Sequence, residues 1–301
     1  MIQIFQNKSL DKDRMNTIEN WFRDKITLIL KSNNYDKKKR LNKILDSYGI
    51  DLYNDIILAK FDKLLEKKEF IEKNINYSEI CYKKDKSKKR KIAKMFFCKC
   101  YEKFRKEYGA ELCQQLQISV CPYCNRNFIN SYIIDDDIKT SAEFDHFFSK
   151  SKYPIFAISL YNLIPCCHDC NHTKGKEEFN ISPYDKKYTT NNSLTFSFKP
   201  IENDEIKITI KPLIDKKNDD IKKLNLESKY QIHSQYVKEI IAKIHNYTPA
   251  YFNQPILREL NITDEELFIG NYLSEENYYK RPLSKLTHDI NEEIKNYMKK
   301  E

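Results

Sequence analysis

The stretch that decides the fold opens on Cys121-Pro122-Tyr123-Cys124 and passes through Glu143-Phe144-Asp145-His146-Phe147-Phe148. It continues through Asn162-Leu163-Ile164-Pro165 and closes on Cys167-His168-Asp169-Cys170-Asn171. Each C-x-x-C pair places two thiolates on one face of a tight turn, and two pairs complete the four-sulfur tetrahedral shell of a zinc ion. A single C-x-x-C is compatible with buried or redox thiols; two of them, outside a thioredoxin-like βαβ context, point to Zn2+. Four thiolates close the coordination sphere, so the expected role of the zinc is structural. Cys166 reads as the inward face of a short strand. A register running from Cys166 to Cys170 stays open, as does His168 as a substitute ligand.

Between the two pairs, apolar and polar residues alternate from Glu143 into Asp145-His146, the pattern of a strand that ends at a site. Ser149-Lys150-Ser151-Lys152-Tyr153-Pro154 stops that strand, and Asn162-Leu163-Ile164-Pro165 reads as the one returning. The second cysteine pair then opens a short helix near His168 that carries Asn171, Lys174 and Lys176. The predicted order is strand, loop, strand, helix, clamped by zinc.

The ordered string Cys-x-x-Cys, Asp-His, Asn-Leu, Cys-x-x-Cys-Asn-x-x-Lys-Gly resembles the HNH (ββα-metal) endonuclease family in its zinc-stapled branch. The likeness covers about a fifth of the chain, from Val120 to Tyr184. It implies a phosphodiester hydrolase acting on DNA, with His146 as general base and Asp145 and Asn171 as oxygen ligands of a catalytic Mg2+, or Mn2+. Asn162 would orient the loop after His146. Asparagine at the third family position favours an oxygen-binding metal, with His172 the alternative if the register moves by one. Lys150, Lys152, Lys174 and Lys176 flank the motif and are candidates for positioning DNA phosphates. The wider context, Cys-Pro-Tyr-Cys-Asn-Arg-Asn followed by Phe-Asp-His-Phe-Phe-x-Lys-Ser-Lys-Tyr-Pro, also resembles HNH proteins of bacterial phage-defence and retron-associated operons, Septu-like nucleases among them. That likeness implies an antiviral role and an ATPase partner subunit.

Outward from this module the pattern changes on both sides. From about Leu10 to Leu116, Lys and Glu mix with Leu and Ile at helical spacing, and Ile18, Trp21, Phe22, Ile26 and Ile29 form one apolar stripe. Two basic runs lie within it, Asn34 to Arg40 and Tyr82 to Lys94, readable either as solvated faces or as DNA contacts. After Pro183, Leu194-Thr195-Phe196-Ser197-Phe198 and Ile206-Lys207-Ile208-Thr209-Ile210 alternate across polar turn residues and read as a β-hairpin. Helices return from Asp219, through Ile240, Ile241 and Ile244, then Leu257 to Phe268, then Leu283 to Met298. The predicted fold class is therefore α+β, mostly helical. A helical arm over 1–117 precedes the HNH module at 118–185, and a hairpin with helices occupies 186–301.

At 301 residues with 40% hydrophobic and 13% aromatic residues, the chain can bury a substantial core, which argues against disorder. Lys and Arg exceed Asp and Glu by 53 to 44, a net charge of +9 that suits a polyanionic partner through counterion release. No apolar run reaches the 18 or so residues of a membrane span and no secretory pattern opens the chain, so a cytoplasmic protein without a membrane partner is expected. Of the nine cysteines, five crowd between Cys121 and Cys170, which fits metal ligation in a reducing compartment better than a disulfide framework. Cys81, Cys98, Cys100 and Cys113 read as ordinary buried thiols. Two rival classes remain at this level: a non-catalytic zinc module that binds nucleic acid, and an adaptor built on a degenerate HNH fold.

Overall fold

A computed structural model describes residues 4, 12–32, 42–43, 45–74, 92–203, 205–246, 266 and 269–298, with the backbone alone at 92–96, 216–218 and 246. The basic run from Asn34 to Arg40, nearly all of the one from Tyr82 to Lys94, Cys81 and nearly all of the expected helix from Leu257 to Phe268 lie outside the described residues. The architecture is α+β, and the strands described form three two-stranded antiparallel sheets. No helix among the described residues is long and apolar enough to cross a membrane. The chain divides into two compact units, one made of Lys8–Ile118 and Ile129–Asp185, the other of Met1–Asn7, Ser119–Phe128 and Lys186–Glu301.

In the first unit, α1 (Lys12–Ser32) turns its stripe of Met15, Ile18, Phe22, Ile26, Ile29 and Leu30 inward. Trp21 sits at the margin of that stripe because its indole N–H needs a polar partner, and it donates to Glu111 Oε1 at 2.6 Å. The stripe packs on α3 (Ile92–Leu116), where the rings of Phe22 and Phe104 meet edge to face at 4.9 Å. A π-helical turn over Leu52–Ile57 leads toward α2 (Phe61–Asn74). Its Asp55 is buried but paired with Lys63 Nζ at 2.7 Å and Lys67 Nζ at 3.2 Å.

Two antiparallel pairs follow. β1 (Ser131–Ile134) and β2 (Asp137–Thr140) form a hairpin that the sequence reading does not anticipate. Its turn uses Asp135 and Asp136 at φ +49° and +63°, the left-handed conformations a two-residue hairpin demands and that Asp tolerates better than most residues. β3 (Glu143–His146) pairs with β4 (Leu163–Cys166), with Asp145 opposite Ile164 and His146 opposite Leu163. α4 (His168–Lys174) comes directly after. Gly109 on α3 lets this pair come close: a Cβ there would stand 3.3 Å from the Phe144 ring.

The second unit is built on the hairpin of β5 (Leu194–Pro200) and β6 (Ile206–Pro212), two residues longer on each strand than the alternation predicts, with Phe196 opposite Ile210 and Phe198 opposite Ile208. After it come α5 (Asp215–Lys223), α6 (Leu226–Tyr230), α7 (Ser234–Asn246) and α8 (Ser284–Met298). α8 docks on β5 through Asp289, whose Oδ2 accepts from Phe196 N at 2.8 Å and whose Oδ1 takes Lys285 Nζ at 2.6 Å. That carboxyl is raised by burial, against the lowering effect of Lys285.

Candidate metal centre and active site

The first cysteine pair sits in a turn closed by two backbone bonds, Asn125 N to Cys121 O at 2.8 Å and Cys121 N to Asn127 O at 2.9 Å. Asn125 takes φ +51° to make that closure. Its side chain fixes the turn within its own unit: Nδ2 donates to Tyr278 O at 3.0 Å and Oδ1 accepts from Lys285 N at 3.0 Å. Tyr230 Oη donates to Cys124 O at 2.6 Å, and Arg126 N points at Cys124 Sγ at 3.4 Å, where a positive N–H end favours a thiolate.

The second pair lies at the start of α4, with Cys167 at its N-cap and Cys170 on its first turn. The sulfurs of Cys121, Cys124, Cys167 and Cys170 all lie within 4.8 Å of one another and all four residues are buried. A tetrahedron with Zn–S bonds of about 2.3 Å has S–S edges of about 3.8 Å, so this donor set fits zinc. Cys166, the neighbouring thiol, ends β4 fully buried and outside that group. His168 is also outside it; its Nδ1 pairs with Glu143 Oε1 at 2.9 Å.

Asp145 and His146 close β3, both buried, at 3% and 6% exposure. The chain then returns through a 3-10 segment over Pro154–Ile158 to Asn162. Asn162 is fully buried and its carboxamide closes this loop: Oδ1 accepts from Phe148 N at 2.7 Å, while Nδ2 donates to Phe148 O at 3.2 Å and Phe156 O at 2.9 Å. The next carbonyl, Ala157 O, lies 3.2 Å from His146 Nε2. A carbonyl only accepts, so Nε2 carries the proton and Nδ1 keeps the lone pair. Burial depresses the imidazole to about 3, helped by the charges of Lys150 and Lys174 and opposed by the Ala157 bond. The ring is thus neutral in the ordinary pH range. Tyr101, from α3, packs edge-on at 4.3 Å, and Lys150 Nζ lies 4.6 Å from the Tyr101 centroid.

α4 presents His168, Asn171 and Lys174 at a spacing of three, one stripe of the helix, toward β3. Asn171 Nδ2 donates to Glu143 Oε2 at 2.6 Å. These bonds, Asn171 first and His168 second, hold the Glu143 carboxyl below its usual range, and Glu143 in turn raises His168. Lys174 departs from its predicted place on a DNA-facing surface. Its side chain is buried, with Nζ 3.0 Å from Asp145 Oδ1 and 3.2 Å from His146 O, because an ammonium taken out of water needs acceptors and a carboxylate beside it. Lys152 is exposed and paired with Glu178 at 2.6 Å, and Lys176 is exposed.

Lys174→Met should therefore act on stability first. Removing one partner of a buried ion pair costs roughly 3 kcal/mol, so urea unfolding should shift to markedly lower concentration while zinc content stays that of the wild type. An unchanged midpoint would mean the pair does not support the fold.

Asp145 and Asn171 offer hard oxygens on adjoining elements. Mg2+ commonly takes one or two protein oxygens and keeps several waters, so the chemistry of this donor set suits it, with Lys174 already engaging one Asp145 oxygen. Beyond the four cysteines, no second converging group of three or more His, Cys, Asp or Glu ligands occurs among the described residues. Glu143, Tyr101 and the buried position of Lys174 are the features the sequence reading misses. Glu143 carries a readable signal, since it precedes Asp145 by two on a strand and so shares its face.

Comparison with family models, with curated proteins and with solved structures gives no match for this chain.

Proposed function

We propose that this chain is a zinc-stapled HNH endonuclease that hydrolyses DNA phosphodiester bonds with a divalent metal, serving in bacterial anti-phage defence beside an ATPase partner. The observation that supports the chemistry is the arrangement at the end of β3. A neutral imidazole is held by Ala157 O with its Nδ1 lone pair retained, while Asp145, the preceding residue of β3, and Asn171 on α4 carry the oxygen donors. Hydrolysis requires a deprotonated water and relief of charge on the phosphate. Mg2+, held by Asp145 and Asn171, would supply that positive charge and acidify the water. His146 would accept the proton at Nδ1; burial makes it a weak base, so acidification of the water by the metal would have to carry more of the activation. Asn162 acts through the loop: by anchoring Phe156 O it fixes the neighbouring Ala157 carbonyl, which sets the direction of the imidazole. Lys150, Lys152 and Lys176 would contact phosphates outside the scissile bond.

A second reading has its own support. The burial of Asp145 and His146 suits a zinc module that binds nucleic acid without cutting it. Supercoiled plasmid separates the two: the zinc-loaded full chain should convert it to nicked or linear DNA with added Mg2+ or Mn2+ and not without. Retardation of the plasmid with no conversion under either ion would replace the nuclease by the binding module.

A further inference from the structure

We infer that Glu143 is a positioning residue that decides which end of the Asn171 carboxamide faces the catalytic metal, an inference that rests on the nuclease reading above. An asparagine side chain is nearly symmetric in shape but opposite in chemistry at its two ends: the oxygen can ligate a cation and the NH2 repels it. Turned the wrong way, Asn171 would present donors to Mg2+. What fixes the turn is a neighbour able to bond only one end. Glu143 is that neighbour, because an ionised carboxylate accepts and never donates. Its Oε2 accepts from Asn171 Nδ2 at 2.6 Å, the one end of the carboxamide that can donate. Oδ1 is then directed to the other side of the carboxamide.

The backbone makes this contact rigid. Glu143 begins β3, opposite Cys166 in the ladder, and Asn171 lies on the first turn of α4, one residue after Cys170. Glu143 also spans two α4 positions three residues apart, with Oε1 on His168 Nδ1 at 2.9 Å, so its carboxylate has both oxygens engaged and little rotational freedom. Charge assistance makes the Asn171 bond stronger than one between neutral groups.

Mn2+ binding to the zinc-loaded full chain, followed by the EPR signal of the free ion, tests the assignment. Glu143→Ala should weaken Mn2+ binding on the order of tenfold, the value of one hydrogen bond to a charged group, while zinc content and melting temperature change little. The decisive arm is Asn171→Asp, whose carboxylate has an oxygen at both ends and no wrong orientation. In that background Glu143→Ala should cost less than about twofold, or tighten binding by relieving repulsion between the two acids. Equal losses in both backgrounds would make Glu143 a direct ligand or a general source of negative charge and overturn the inference alone. No loss in the Asn171 background would overturn it too. A wild type that takes up no Mn2+, or an Asn171→Ala variant that binds it as the wild type does, would sink the nuclease reading and this inference with it.

Discussion

Cys170→Ser should abolish zinc binding at the four-cysteine cluster and lower the melting temperature of the zinc-loaded protein by about 10 °C or more. The reasoning starts from burial. Cys170 is 1% exposed and its sulfur stands within 4.8 Å of the other three. Four sulfurs that close to one another, all out of water, are a poor arrangement as neutral thiols and a good one as thiolates around a dication. Structural zinc contributes folding free energy outright, roughly 10–16 kcal/mol of apparent binding energy in small zinc-dependent peptides. Losing one ligand forfeits a fraction of this; a loss of about 3–5 kcal/mol corresponds to the stated shift for a unit of 150 residues or so. The measurement is metal analysis of the purified variant together with its thermal unfolding.

A control separates ligation from ordinary thiol packing. Cys113 is also buried, and burial pushes its thiol up to about 12, the behaviour of a cysteine that stays protonated. Cys113→Ser should keep the zinc and cost far less. If the wild type carries no zinc and the Cys170 variant melts with it, the four sulfurs are core thiols; a variant that keeps wild-type zinc would remove Cys170 from the ligand set.

How much of this was written in the sequence depends on the range of the interaction. Two C-x-x-C pairs are local signatures, and so is the alternation that marks β5 and β6, because turn geometry and strand pleat repeat over a few residues. The β1–β2 hairpin escapes notice because its turn is Asp135-Asp136 rather than a glycine-bearing pair, and its apolar residues Ile133 and Ile134 are exposed instead of marking a core. Lys174 illustrates a harder case. A lysine in a polar helix reads as solvated, and only the tertiary placement of Asp145 opposite it turns burial into the favourable choice. Tyr101 covers His146 from a helix more than forty residues upstream, and nothing in the local text of either residue announces that contact. The carboxamide of Asn162 is intermediate: an asparagine at the end of a loop suggests a bridge, whereas the carbonyls it reaches, Phe148 and Phe156, follow from the 3-10 path between them.

The second large effect concerns the imidazole. On the proposed nuclease reading, His146→Ala should reduce metal-dependent DNA cleavage by roughly a thousandfold, within the range for removal of a general base, while zinc binding is unchanged. Two features of the geometry make the prediction specific. Ala157 O accepts a hydrogen bond from Nε2–H, so the ring has one basic nitrogen and one fixed orientation, and an alanine supplies neither. The four-cysteine group does not include His146, so its loss leaves every zinc ligand in place. Removing a buried ring of this size also opens space beside Tyr101, so some stability is lost as well, and the melting temperature must be recorded with the rate. His146→Asn helps here, since its amide can still donate toward Ala157 O but has no basic nitrogen. Both variants should be equally inactive although the asparagine packs better. Cleavage surviving in the asparagine variant would assign the proton transfer elsewhere and leave His146 a core residue.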